Sequence, residues 1–81
     1  YTTLFRSNVL PVVQSHYVWQ GKLEHSTEIP LLIKARKEDF IEIEQAICKL
    51  HPYQVPEIIA IAAQQVFAPY LQWVQEVTSR D

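Results

Sequence analysis

Residues 51–57 read His-Pro-Tyr-Gln-Val-Pro-Glu, and this stretch decides most of what the sequence predicts about the fold. Pro52 ends the helical pattern before it, because a proline disfavours the α conformation in the preceding residue. Pro56 comes just before residues 58–63, which read Ile-Ile-Ala-Ile-Ala-Ala. A short apolar run without helical polarity favours a strand that is buried on both faces. The segment therefore predicts a helix end, a turn and the entry to a strand.

Helical periodicity flanks this segment on both sides. A helix is predicted from about Lys37 to Leu50, where apolar residues recur on one face. The apolar positions of this face are Phe40, Ile43, Ile47 and Leu50. A final helix is predicted around Pro69, because proline suits the first turn of a helix. Its apolar positions are Tyr70, Trp73, Val74 and Val77.

The first half of the chain predicts a long β-hairpin. Residues 8–18 are rich in β-branched and aromatic side chains, and residues 22–34 alternate with the period of two that is typical of a strand. Gly21 is the only glycine, and it lies between these stretches, where a turn needs backbone freedom. Pro11 and Pro30 cannot donate to a strand ladder, so we expect them to bend the base of the hairpin.

These elements predict one α+β domain with the order strand, strand, helix, strand, helix. A helix that joins residues 31–34 to residues 58–63 implies a right-handed crossover, which makes those two strands parallel in an otherwise antiparallel sheet. This arrangement is half of a ferredoxin-like, split β-α-β fold. We expect the opening strand and helix of such a fold to be missing from this chain.

Composition limits the classes of function. The chain has 81 residues, a net charge of −2 and only seven lysines and arginines, so a nucleic acid partner is not expected. No apolar run reaches the roughly 18 residues that span a bilayer, so no membrane partner is expected either. A single cysteine and no recognisable signal peptide favour a soluble protein in the cytoplasm. Small domains need extra stabilisation, and without a disulfide this leaves assembly or a metal.

Five segments, in order, resemble the CutA family of divalent-cation tolerance proteins. They are residues 8–11 (Asn-Val-Leu-Pro), 15–24 (Ser-His-Tyr-Val-Trp-Gln-Gly-Lys-Leu-Glu), 32–34 (Leu-Ile-Lys), 51–59 (His-Pro-Tyr-Gln-Val-Pro-Glu-Ile-Ile) and 70–74 (Tyr-Leu-Gln-Trp-Val). The resemblance covers roughly residues 8–77. We therefore assign residues 8–81 to a partial CutA-like domain that lacks the family's opening strand and helix, and we set residues 1–7 apart as a segment that does not match.

The resemblance carries functional expectations. It implies a compact homotrimer, in which the long hairpins and the final helices carry contacts between subunits. It also implies a function in tolerance of, or response to, copper or other divalent cations, without catalytic activity. No phosphate-binding loop, nucleophile elbow or evident catalytic triad is present in the sequence.

Two residues are candidate metal ligands. His51 stands at the signature position of the resemblance, and imidazole suits copper, zinc and nickel. Cys48 lies three residues earlier on the same helix, and a thiolate suits soft ions. The structural alternatives are that His51 caps the C-terminus of the helix and that Cys48 is a small buried hydrophobic residue. His16 and His25 lie on either side of the turn and could face each other across the hairpin.

A second group of residues is expected to line a subunit interface or a cleft. These residues are aromatic or charged, and relatives gather comparable side chains near a cleft between subunits. They are Tyr17, Trp19, Lys22, Glu24, Lys34, Tyr53, Glu57 and Trp73. The alternative function is a ferredoxin-like regulatory or scaffolding module that binds a small ligand, such as an anion, or a partner protein at that interface. A hydrolase that uses His51 is a third and weaker hypothesis.

Overall fold

The computed structural model describes residues 4–78 and contains four strands and two α-helices. The elements are β1 (Leu4–Val9), β2 (Val13–Trp19), β3 (Lys22–Glu28), β4 (Leu31–Ala35), a 3-10 turn (Lys37–Asp39), α1 (Phe40–Leu50) and α2 (Ala68–Val77). Both predicted helices are confirmed, and α2 carries its proline in the first turn. β1 includes residues 4–7 of the segment that the sequence set apart, and residues 1–3 of that segment lie outside the described part of the chain.

The four strands form one hairpin that is interrupted near its middle. β2 pairs with β3 in antiparallel register from Val13 opposite Glu28 to Trp19 opposite Lys22. β1 also pairs with β4 in antiparallel orientation. Between the two ladders, the backbone amide of Leu10 donates to the carbonyl of Pro30 at 3.0 Å. The ladder divides where Pro11 and Pro30 remove two backbone donors. The ladder is thus interrupted at the two prolines, where the sequence predicted a bend.

The tip of the hairpin is a two-residue turn. Gln20 has φ of 51° and Gly21 has φ of 78°, so both central residues lie in the left-handed region. Two successive positive φ values are typical of the type I′ turn, whose twist matches that of the flanking strands. Gly21 therefore lies in the turn, as the sequence predicted. Gln20 also adopts a positive φ, which is unfavourable for a residue that has a side chain.

The predicted strand at residues 58–63 is wrong. This segment has no strand pairing, and β4 has β1 as its antiparallel neighbour instead of a parallel partner. A strand needs a neighbouring backbone to pair with, and an apolar run alone does not supply one. The run is also not buried on both faces, since Ile59 is 71% exposed and Ile61 is 89% exposed. All four strands therefore precede both helices, within the α+β class that the sequence predicted.

Helix α2 packs on β1 through aromatic side chains. The ring of Phe5 meets that of Trp73 edge to face at 4.8 Å and that of Tyr70 at 5.6 Å. The guanidinium of Arg6 lies 5.7 Å from the centre of the Trp73 ring, within the range of a cation–π contact. Edge-to-face aromatic pairs contribute about 0.5 to 1.5 kcal/mol beyond the area they bury. This cluster holds the last helix against the base of the hairpin.

The best-buried side chains are polar. Asp39 is 2% exposed and Thr78 is fully buried, at the junction of the 3-10 turn with the end of α2. Arg36 binds the carbonyl of Thr78 at 3.3 Å and forms an ion pair with Glu38 at 2.8 Å. Among residues 5–78, by contrast, no apolar residue is buried. The radius of gyration of 15.4 Å also exceeds the roughly 12 Å expected of a compact domain of this length.

Neither described helix has the length and the apolar character that crossing a bilayer requires.

Candidate functional site

A cleft of about 670 Å³ lies between the β2–β3 hairpin and the segment after α1. It is lined by Ser15, His16, Tyr17, Trp19, Glu24, Glu28, Tyr53, Gln54, Val55 and Glu57. One wall therefore comes from the hairpin and the other from the segment that contains Tyr53 and Glu57. The cleft joins the two most distinctive stretches of the sequence.

Strand alternation builds the hairpin wall. Tyr17 and Trp19 are two residues apart on β2 and share a face, and Glu24 stands directly opposite Tyr17 on β3. The hydroxyl of Tyr53 donates to Ser26 Oγ at 3.5 Å, at the long limit for a hydrogen bond. Ser26 lies on the same face of β3 as Glu24. This contact brings the segment after α1 over the hairpin face that carries the aromatic residues.

The lining of the cleft is acidic and aromatic. Glu24, Glu28 and Glu57 contribute carboxylates, and no lysine or arginine among residues 4–78 lines the cleft. Tyr17 and Trp19, together with the ring of Tyr53, add π-faces. Aromatic faces with nearby carboxylates attract cations, through the quadrupole of the ring and through charge. The lining therefore favours a cationic ligand over the small anion considered from the sequence.

His51 has a structural function in the turn after α1. Its backbone amide ends the helix by donating to the carbonyl of Ile47 at 2.8 Å. Its Nδ1 accepts a hydrogen bond from the backbone amide of Tyr53 at 3.1 Å, and the two rings meet at 4.6 Å. The backbone of His51 thus caps the helix, while the side chain binds the chain beyond the helix. With Nδ1 as the acceptor, the neutral ring carries its proton on Nε2, so a metal could bind this imidazole only after the hydrogen bond to the amide of Tyr53 is broken.

Cys48 is exposed, so the alternative of a small buried hydrophobic residue is wrong. Its thiol is accessible near the end of α1, in the same turn of chain as His51. Within residues 4–78, however, no three His, Cys, Asp or Glu side chains converge as a set that could hold a metal ion. His51 and Cys48 would therefore need further ligands from water or from another copy of the chain.

The described part of the chain matches a family model over most of its length. The model is that of the CutA1 divalent ion tolerance protein, and it matches residues 6–77. The chain belongs to the CutA1 family. Protein CutA homolog from Xenopus laevis is 40% identical over 70 residues, which are 86% of this chain and 46% of that protein. Divalent-cation tolerance protein CutA from Thermus thermophilus is 37% identical over 71 residues, which are 88% of this chain and 69% of that protein.

Solved CutA1 structures have the same fold. CutA1 from Shewanella sp. SIB1 superposes with a TM-score of 0.91 at 34% identity, covering 98% of this chain and 74% of that one. CutA from Archaeoglobus fulgidus gives 0.89 at 29% identity, covering 94% and 74%. The ferredoxin-like assignment is therefore confirmed. This chain spans less than half the length of its vertebrate CutA relatives, such as those of Xenopus laevis and Bos taurus, at 46% and 40%.

The cleft of this CutA1 chain brings together five of the eight residues expected at an interface or cleft. They are Tyr17, Trp19, Glu24, Tyr53 and Glu57. The other three lie elsewhere. Lys22 stands opposite Trp19 at the turn, the amine of Lys34 binds the side-chain oxygen of Asn8, and Trp73 packs on Phe5. The other five lining residues were not among those eight, and they are Ser15, His16, Glu28, Gln54 and Val55. The alternation that places Tyr17 and Trp19 on one face could have found Ser15.

The contact between His51 and Tyr53 predicts a specific pattern of stability. We expect His51→Ala to lower the free energy of unfolding by about 0.5 to 1 kcal/mol, because the amide of Tyr53 loses its acceptor. We expect His51→Asn to lower the free energy of unfolding much less, because an Asn side chain can accept a hydrogen bond from the amide two residues later. Urea unfolding at a fixed protein concentration measures both variants. Equal losses in the two would contradict this function of Nδ1.

Proposed function

We propose that this chain is a subunit of a homotrimeric CutA1 protein of divalent-cation tolerance that binds copper and has no catalytic activity. Membership of the family supports the cation function. One observation supports the proposed trimer. Large apolar side chains are exposed, and residues 5–78 contain no buried apolar core. A cytoplasmic location is part of the proposal, since a reducing compartment keeps an exposed cysteine such as Cys48 as a thiol.

The exposed apolar surface supports self-association. Leu50 is 86% exposed, Ile61 is 89% exposed and Phe67 is 76% exposed. Exposed apolar patches mark interaction surfaces, because covering them stabilises by about 25 cal/mol per Å². Residues 58–67 also lack strand partners. A second copy of the chain could cover this surface, and a trimer is the assembly that the family resemblance implies.

Light scattering on the full chain after size-exclusion chromatography tests the assembly. We expect three copies per particle. We also expect Ile61→Lys to dissociate the particle, because it places a charge in the surface to be covered. Gln64→Lys is the matched control, since it adds the same charge at an exposed polar position three residues away. A folded monomer of the unsubstituted chain, or equal effects of both lysines, would contradict the proposal.

Copper binding would use the thiol of Cys48 and the imidazole of His51, after the imidazole is released from its hydrogen bond with the amide of Tyr53. The two residues are three positions apart at the end of α1, and thiolate with imidazole suits a soft ion such as Cu(I). Because these are two ligands, the remaining coordination would come from water or from a neighbouring copy. The exposure of Cys48 leaves it accessible for this purpose.

Titration with Cu(I) under anaerobic conditions tests these ligands. We expect Cys48→Ser and His51→Asn each to weaken copper binding by at least about tenfold, since each removes one ligand. His51→Asn is the informative variant, because it removes the imidazole while keeping an acceptor for the amide of Tyr53. Copper affinity that is unchanged in both variants would exclude this pair.

A second candidate function is supported by the acidic, aromatic cleft. There the chain would act as a regulatory module that binds an organic cation, held by Glu57 and the rings of Tyr17 and Trp19. Such a ligand at 100 times its dissociation constant would stabilise the fold by about 2.7 kcal/mol.

Thermal unfolding with tetramethylammonium chloride tests the cleft. We expect the midpoint to rise relative to sodium chloride at the same concentration, and Glu57→Gln to remove the rise. Glu76→Gln is the control, since that carboxylate lies on α2 outside the cleft and binds Gln72 at 3.1 Å. An equal rise in the unsubstituted chain and in Glu57→Gln would contradict a cation site in the cleft.

A further inference from the structure

His16 and His25 form a cross-strand pair in the middle of the β2–β3 hairpin. They stand directly opposite each other in the antiparallel register, so their side chains share one face. Their ring centres are 5.9 Å apart and their planes are inclined by 33°. Both residues are exposed. His16 contributes to the cleft lining, yet its ring contacts His25 on the adjacent strand.

We propose that this pair binds one divalent transition-metal ion, such as Zn²⁺, between its two imidazoles. The inference rests on the proposed function only in taking a divalent cation as the ligand. It is a different site from His51 and Cys48, which lie at the end of α1. Imidazole is a preferred ligand of zinc, nickel and copper, and two histidines on rigid neighbouring elements form a chelate.

The spacing of the rings fits a shared ion. Zinc binds an imidazole nitrogen at about 2.0 to 2.1 Å, which places the ion about 3.2 Å from the centre of that ring. Two rings that share an ion therefore have centres at most about 6.4 Å apart. The observed 5.9 Å lies inside this limit. The pair needs rotation of the side chains alone to converge on one ion.

The surroundings of the pair also suit a cation. On one side of the two histidines, the same face of the ladder carries Gln14 and Thr27. Their side chains are joined by a hydrogen bond of 3.2 Å. On the other side lie Val18 and Leu23, which are 71% and 79% exposed. No lysine or arginine belongs to this face of the β2–β3 ladder. The face is open to solvent, so water can complete the coordination of the ion.

Calorimetric titration of the tag-free full chain with zinc chloride tests the site. We expect His16→Ala or His25→Ala to weaken binding by roughly a hundredfold, because loss of one ligand removes the intramolecular second bond. The double variant should bind zinc only slightly more weakly than either single variant, because both histidines bind the same ion. Glu76→Gln, which changes a carboxylate on α2 outside the β2–β3 hairpin, should leave this zinc affinity unchanged.

NMR of the imidazole nitrogens provides a readout that does not depend on how the variants fold. In the unsubstituted chain, zinc should shift the ring-nitrogen signals of both His16 and His25 at one ion per chain. Ring-nitrogen signals that zinc does not shift would overturn the proposed site. Losses of zinc affinity that add up in the double variant would also overturn it. Zinc binding that is lost only in His51→Asn would overturn it and leave the proposed function standing. A chain that binds neither zinc nor copper would overturn both.

Discussion

The antiparallel register between the arms of the hairpin is the constraint on which the rest of the structure depends. It places Tyr17 opposite Glu24 in the cleft and His16 opposite His25 on the other face. Because side chains alternate along a strand, a slip of one residue would exchange the two faces and remove both arrangements. The turn at Gln20 and Gly21 fixes this register, since a two-residue loop with two positive φ values permits a single pairing of the flanking strands.

The interior of the chain provides little apolar stabilisation. The residues that the structure buries best, Asp39 and Thr78, are polar, while large apolar side chains such as Leu50 and Ile61 remain exposed. Aromatic packing of Phe5 on α2 holds the last helix in place but does not form a buried core. Since burial of apolar area is the main favourable term in folding, the stability of this chain is tied to what covers its surface. Under the proposed assembly, covering this surface stabilises the fold of this CutA1 chain.

The sequence predicted the features that have local causes. Pro52 marks the end of α1, Pro69 marks the start of α2, and Gly21 marks the turn, since each acts through its own backbone. The strand expected at residues 58–63 failed because pairing depends on a neighbour that no local pattern encodes. Only part of the cleft was predicted, because the rest of its lining also depends on neighbours that no local pattern encodes. Tyr17 and Glu24 follow from alternation around a known turn, whereas the position of Trp73 depends on how α2 packs against β1.

The dependence of unfolding on protein concentration tests the central claim, that surface shared with other copies stabilises this fold. Subunits that stabilise one another unfold at a higher temperature when they are more concentrated, because association shifts the equilibrium by mass action. We expect the unfolding midpoint of the full chain to rise steadily over about a hundredfold increase in concentration. A cooperative transition whose midpoint stays constant over that range would contradict it.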